Sequence, residues 1–197
     1  MASKDFFIYG SFCNGFAHFH KIQGLVDFIR DVQITGTCFR TQIGFPVVME
    51  QGTDRVPGQL MRLDLSIITE SFFDELQGYN PMNPELSLTI KKQVSVEHDG
   101  EFIEATVYFL NPLKKTSTMS KIEGGDWRES LKQHIPLPEK MTDKQRVYVA
   151  KLGSCSGRDI VPIDMTLYRE LMNLELIVDK GRRLALSKLG QEVCRYL

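Results

Sequence analysis

The stretch Phe6-Phe7-Ile8-Tyr9-Gly10-Ser11-Phe12-Cys13-Asn14-Gly15 constrains the chain more than any other. Four bulky residues, Phe6 to Tyr9, predict a buried strand that starts almost at the N-terminus. Gly10 and Gly15 then bracket Ser11, Cys13 and Asn14. Glycine lets the backbone turn sharply and lets another group approach it closely. A turn of this kind can aim several backbone N–H groups into one concavity, a nest for an anion or a developing oxyanion. Ser11 and Asn14 can add side-chain donors. The same residues also fit an ordinary strand-to-helix turn that holds no ligand.

Beyond that turn, Phe19, Ile22, Leu25, Val26 and Ile29 recur at three- and four-residue spacing, which predicts a short helix interrupted by Gly24. Val32 to Arg40 reads as a strand. Phe45 to Met49 is a short apolar run in which Pro46 marks an edge or a strand start. Glu50 to Arg55 has turn composition, and Val56 to Leu63 resumes extended structure. Ile67, Ile68, Phe72, Phe73 and Leu76 form a helical stripe that stops at Gly78. Leu86 to Val96 and Phe102 to Leu110 alternate as strands around a His98-Asp99-Gly100-Glu101 hairpin turn. Many strands with few helices predict a small mixed α/β domain on a curved sheet or barrel.

After a Lys-, Thr- and Ser-rich loop at 112–120, the only tryptophan, Trp127, sits beside Gly124 and Gly125. Pro136 and Pro138 read as a linker. Thr142 is a candidate N-cap for a helix through Leu152, and 153–158 reads as a turn. A second helix is expected over 162–174, then a hairpin from Leu176 to Leu186, then a last helix capped by Ser187.

Composition narrows the function classes. A chain of 197 residues with 42% hydrophobic residues can build one domain, or one and a small second. The net charge of −1 argues against nucleic acid or a membrane surface as partner of the whole chain. The four cysteines, Cys13, Cys38, Cys155 and Cys194, form no CxxC pair, so a zinc site is not expected. His18 and His20 stand close together, but no third metal ligand accompanies them. The N-terminus carries no signal-peptide pattern and no apolar run reaches membrane-spanning length. The expectation is a cytoplasmic protein with free thiols.

Five segments in order over about residues 5–130 resemble the gamma-glutamylcyclotransferase-like (AIG2-like) family. Tyr9-Gly10-Ser11 follows the first strand. Val56-Pro57-Gly58-Gln59-Leu60 resembles the family's V-x-G-x-hydrophobic strand. Phe73-Asp74-Glu75-Leu76-Gln77-Gly78-Tyr79 resembles its L-D-x-x-E-G-Y stretch. Ala105-Thr106-Val107-Tyr108 resembles A-x-V-Y, and Gly124-Gly125-Asp126-Trp127-Arg128 resembles S-G-D-W-R. The resemblance implies an α+β fold: a small mixed β-barrel with helices at its side and a pocket beside the Tyr-Gly-Ser turn. It implies a small gamma-glutamyl or amino-acid-like ligand, bound by Tyr9, Gly10, Ser11 and Phe12. It also implies cyclisation of gamma-glutamyl compounds to 5-oxoproline without metal or organic cofactor.

The chain departs from the family where the chemistry is most demanding. The glutamate that serves the family as general base and then acid is here Gln77. A carboxamide has no useful basicity. Glu85, in the Asn80–Glu85 loop, is one substitute. Glu75, about 200° round a helix from Gln77, is a lesser one. Two readings stay open: a ligand-binding module with impaired catalysis, or an active cyclotransferase with a displaced base such as Glu85. Residues 1–135 are read as the cyclotransferase-like domain and 139–197 as a helical, winged-helix-like unit. The latter holds 11 Lys and Arg against 8 Asp and Glu. Arg169 is the only basic residue of its candidate recognition helix, so nucleic-acid binding is not favoured.

Overall fold

The computed structural model describes residues 3–65, 70–156 and 159–197. The described chain divides into two compact units, residues 1–41 with 45–133, and residues 42–44 with 134–197.

The first unit is α+β, built on a curled, open six-stranded sheet in the order β4-β5-β1-β3-β2-β6. Its strands are β1 (Ser3–Ile8), β2 (Val26–Arg40), β3 (Pro46–Asp64), β4 (Thr89–His98), β5 (Glu101–Leu110) and β6 (Ser120–Lys121). All neighbours run antiparallel except β1 and β5, which meet in parallel at Phe6 and Thr106. Helix α1 (Glu70–Leu76) and helix α2 (Trp127–Gln133) complete the unit. Phe6, Phe7 and Ile8 are buried, as is every residue of β5 from Ala105 to Leu110. A strand buried on both faces gives a continuous apolar run rather than strict alternation.

Three expectations need correction. The stretch from Phe19 to Ile29 is not a helix. Two single 3-10 turns, Phe19–Lys21 and Gln23–Leu25, lead into β2, which begins at Val26. Successive 3-10 turns repeat every three residues, so they imitate the spacing of one helical face. Glu50–Arg55 does not end a strand either. β3 runs on through it, and the pairing shifts so that Gly36 faces Asp54 while Thr37 faces Met49. The turn-like residues are taken up as an irregularity inside one long strand. Thirdly, the expected strand over 86–96 starts only at Thr89, after a 3-10 turn at Pro84–Leu86. The Asp99-Gly100 hairpin forms as expected, with both residues at positive φ. Ile67 and Ile68 lie outside the described residues.

The second unit contains α3 (Leu137–Lys140), α4 (Asp143–Ser154), α5 (Met165–Asn173), a hairpin of β7 (Ile177–Asp179) and β8 (Leu184–Leu186), and α6 (Lys188–Arg195). The expected Pro136–Pro138 linker is thus partly helical. Helix α4 runs on through Gly153 and Ser154, where the sequence predicts the start of a turn, and Arg158 lies outside the described residues. Thr142 caps α4 in a capping box: its hydroxyl accepts the Gln145 N–H, and the Gln145 carboxamide accepts the Thr142 N–H. Ser187 caps α6 through the Gly190 N–H.

Two stability measurements follow. Gly58 faces Val32 across β3 and β2. A Cβ there would lie 2.2 Å from Phe7 Cζ and 2.6 Å from the Ile8 carbonyl oxygen. Gly58→Ala should therefore cost about 3 kcal/mol in urea unfolding, since core overpacking of this kind cannot relax against backbone. Thr142→Ala removes one cap and should cost about 1 kcal/mol, with the loss of protection in hydrogen exchange confined to the second unit.

Candidate functional site

The first strand ends in a tight turn. Tyr9 is extended, at φ −135° and ψ 167°, and Gly10 enters the left-handed region at φ +74°. A single 3-10 turn, Gly10–Phe12, follows, closed by the Cys13 N–H to the Gly10 carbonyl at 3.1 Å. Gly10, Ser11 and Phe12 are all buried. Among the described residues, no hydrogen bond engages the N–H groups of Gly10, Ser11 or Phe12.

Side chains fix this turn from every direction. The Tyr9 hydroxyl donates to the Tyr108 carbonyl at 2.9 Å and accepts the Val48 N–H at 3.2 Å. It thereby joins the end of β1 to β5 and β3. The Ser11 hydroxyl lies 2.8 Å from His18 Nδ1. The Cys13 thiol donates to the Ile8 carbonyl, and burial pushes its pKa up to about 12. The Gln59 carboxamide accepts the Asn14 N–H at 2.7 Å and donates to Asp31 at 3.1 Å. Arg128 binds the same Asp31 oxygen at 2.9 Å, and this bond, then that of Gln59, holds the Asp31 carboxyl below its usual range. Trp127 donates its indole N–H to the Pro57 carbonyl and meets the Phe16 ring edge-on at 4.9 Å between centroids. Gln59 and Trp127, from the Val-Pro-Gly-Gln and Asp-Trp-Arg segments, therefore hold Asn14 and Phe16 just after the turn.

Gln77 stands on a different element. Its N–H closes the end of α1 on the Phe73 carbonyl, and its own carbonyl accepts the Thr89 hydroxyl at 2.9 Å. Its side chain is half-buried and, among the described residues, makes no hydrogen bond to residues 9–12. The two segments are joined through Tyr108. While its carbonyl receives Tyr9, its hydroxyl donates to Asp74 Oδ1 at 2.5 Å, one helical turn before Gln77. Glu75 is exposed. So is Glu85, which touches the fold through its backbone carbonyl, a 3.0 Å acceptor for Asn111.

Sequence reasoning missed the charge network beneath α1. Lys91 reaches Asp74 at 2.7 Å and Glu70 at 2.5 Å, and Lys4 pairs with Glu70 as well. Asp74 is buried. Desolvation and the hydrogen bond to Asp74 both push the Tyr108 phenol well above its usual value. Desolvation pulls Lys91 down, but Asp74 and Glu70 outweigh it and leave its pKa raised. An aspartate beside Phe73 on a helix stripe, and a lysine beside Ile90 at a strand start, were the available signals. The sequence offers His18 and His20 as a close pair without a third metal ligand, and among the described residues no cluster of three metal-binding side chains occurs.

The Lys4 and then Lys91 hydrogen bonds lower the pKa of Glu70 from its ordinary 4.5. The folded state thus binds that proton less tightly than the unfolded state does. The stabilisation is complete above pH 4.5 and is lost as pH falls through the lower folded value. Urea midpoints measured from about pH 7 to pH 3 should show wild type exceeding Glu70→Gln at neutral pH, with the gap narrowing in acid.

Among curated proteins there is no match. Of solved structures, YkqA from Bacillus subtilis shares 22% identity at a TM-score of 0.48, over 66% of this chain and 41% of its own. The present chain thus spans about two-fifths of YkqA. The uropathogenic Escherichia coli protein c4763 shares 16% identity at 0.49, over 66% of this chain and 95% of its own. An AIG2-like protein from Mus musculus shares 13% at 0.39, over 59% and 82%. The family described as "Gamma-glutamyl cyclotransferase, AIG2-like" matches residues 6–129, which run from β1 through Trp127 and Arg128 and make up well over half of the chain. The chain belongs to the gamma-glutamyl cyclotransferase, AIG2-like family.

Proposed function

We propose that the turn Tyr9-Gly10-Ser11-Phe12 and Gln77 line one pocket for a gamma-glutamyl or other amino-acid-like small molecule, and that catalysis there is impaired. The observation that carries this reading is the turn itself. Gly10 at φ +74° leads into three buried residues whose N–H groups have no partner among the described residues. Buried N–H groups left without a partner are costly, and a ligand carboxylate would satisfy them. The path Tyr9–Tyr108–Asp74 supports bringing the turn and the end of α1 to the same ligand.

The expected chemistry is intramolecular. The ligand's alpha-amine attacks its own gamma-carbonyl, and 5-oxoproline and a free amine leave. An alpha-ammonium has a pKa of about 8, so a base must first remove a proton. Gln77 holds an amide or ammonium by hydrogen bonding but takes no proton. The second reading, an active enzyme with Glu85 as base, rests on the Asn80–Glu85 loop following α1 directly. The reaction needs no metal or organic cofactor.

The second unit is read as a winged-helix-like appendage, on the order α4, α5, hairpin, α6 with Lys180, Arg182 and Arg183 exposed at the hairpin tip. Its modest positive balance favours packing or a protein partner over nucleic acid. A cytoplasmic setting is proposed from the sequence. Among the described residues, no helix is long and apolar enough to cross a membrane.

The test uses gamma-glutamyl amino acids, with 5-oxoproline release and calorimetric binding measured in parallel. Wild type should bind but release little 5-oxoproline. Gln77→Glu should raise release by about 100-fold or more, the range of a restored general base. Robust wild-type release that survives Gln77→Ala and falls in Glu85→Gln would establish the second reading. Absence of binding in wild type together with no release in Gln77→Glu would overturn the pocket assignment.

A further inference from the structure

Ser11 and His18 form a pair that the cyclisation chemistry does not use. The Ser11 hydroxyl and His18 Nδ1 lie 2.8 Å apart, and both residues are buried, at 6% and 7% exposure. The loop between them does not need this bond to close. The His18 N–H already donates to the Ser11 carbonyl at 2.8 Å, and Phe16 and Phe19 continue the same run of backbone bonds. A second, side-chain bond adds little closure but takes two polar groups out of water. The imidazole is also held in place. The Phe12 ring lies 5.5 Å from it and the Phe45 ring 5.4 Å, centroid to centroid.

A hydroxyl within hydrogen-bond reach of an oriented imidazole is the arrangement of an activated serine. Ser11 also sits where such nucleophiles recur, in a sharp turn between a strand and a helical turn. We propose that Ser11 and His18 are a nucleophile and general base, and that the turn hydrolyses small carboxylic esters through an acyl-Ser11 intermediate. With Nδ1 of His18 unprotonated, the hydroxyl donates to it. As Oγ bonds to the ester carbonyl carbon, its proton passes to Nδ1. The ester C–O bond then breaks, the electron pair leaves with the alcohol oxygen, and the imidazolium supplies that oxygen's proton. Water, deprotonated by the same imidazole, next attacks the acyl-serine. The carboxylic acid departs, and Ser11 and His18 return to their starting state. No metal, oxidant or cofactor enters the balance.

The surroundings define the substrate. Ser11 is only 6% exposed, so the acyl group must be small. The Phe12 and Phe45 rings, which pack against His18, favour an apolar one. Cys13 is not a rival nucleophile. Burial raises its pKa to about 12, which keeps the thiol protonated at neutral pH. The activity requires neither Gln77 nor a gamma-glutamyl ligand, so it stands apart from the function proposed above.

The experiment treats the full chain with p-nitrophenyl acetate and, separately, with a small alkyl fluorophosphonate, and locates any adduct by peptide mass spectrometry. The expected result is one adduct per chain, on Ser11, with none in Ser11→Ala. His18→Asn should lower the rate of adduct formation by about 100-fold or more, because an asparagine amide can replace Nδ1 in the hydrogen bond but not as a base. Circular dichroism melts confirm that both variants fold, and His18→Gln serves as a second variant if His18→Asn does not. The proposal fails if Ser11 acquires no adduct, if labelling persists in Ser11→Ala, or if folded His18 variants label at the wild-type rate. Calorimetric binding of gamma-glutamyl amino acids is measured on the same samples. A wild type that binds these ligands but acquires no ester adduct rejects the Ser11–His18 pair alone, whereas ester acylation without such binding rejects the gamma-glutamyl pocket alone.

Discussion

Tyr108 couples the two halves of the candidate site, and it does so with both ends of one residue. Its carbonyl receives the Tyr9 hydroxyl, and its own hydroxyl reaches Asp74 on α1. The ring between them is buried, stacked parallel to Phe6 at 6.4 Å and edge-on to Phe73 at 5.7 Å. The strand that carries the turn and the helix that ends at Gln77 are therefore referred to the same residue of β5. The parallel pairing of β1 with β5 makes this possible, because it sets the end of β1 beside the end of β5 that holds Tyr108. A buried phenol would be a liability without an acceptor. Asp74 supplies one, and Lys91 compensates the carboxylate in turn.

That network also sets the state of Asp74. One of its oxygens receives both the Tyr108 hydroxyl and the Lys91 ammonium. The group is buried and already occupied. Taking a substrate proton would weaken an ion pair and a charge-assisted hydrogen bond together, in a setting where both are strong. The Asp74 carboxylate, on the buried side of α1, ties the helix to Lys91 of β4 and Tyr108 of β5. Glu70, which shares Lys91 and adds Lys4, extends the same clamp towards solvent.

Much of the architecture was legible in the sequence because local chemistry and tertiary context agreed. Phe6 to Ile8, the Asp99-Gly100 hairpin, the Thr142 capping box and the Ser187 cap each carry their own signal. The misreadings arose where two structures share one pattern. Phe19, Ile22 and Leu25 satisfy both a helix and a pair of 3-10 turns. Glu50 to Arg55 has the composition of a turn, yet its partner strand is long enough to carry the chain past an irregularity at Gly36 and Thr37. Of the site, the Tyr-Gly-Ser turn was legible from its glycine spacing. The bonds from Ser11 to His18 and from Tyr108 to Asp74 were not. Seven positions separate the first pair and 34 the second, and neither separation follows from a periodicity.

The same contrast bears on what the turn can do. A substitution of glutamate by glutamine alters one atom group and leaves shape almost untouched, so a binding site survives it more readily than a proton-transfer site does. The turn is held by bonds of its own. Tyr9 is held by two strands, Asn14 by Gln59, and Gln59 and Arg128 by Asp31. None of these bonds involves position 77. The geometry of the turn is thus set independently of Gln77. Position 77 can therefore change while the turn keeps its shape, and the polar groups built into the turn keep their places. The Ser11 hydroxyl and the His18 imidazole are two of these groups, 2.8 Å apart, with the imidazole packed against the Phe12 and Phe45 rings.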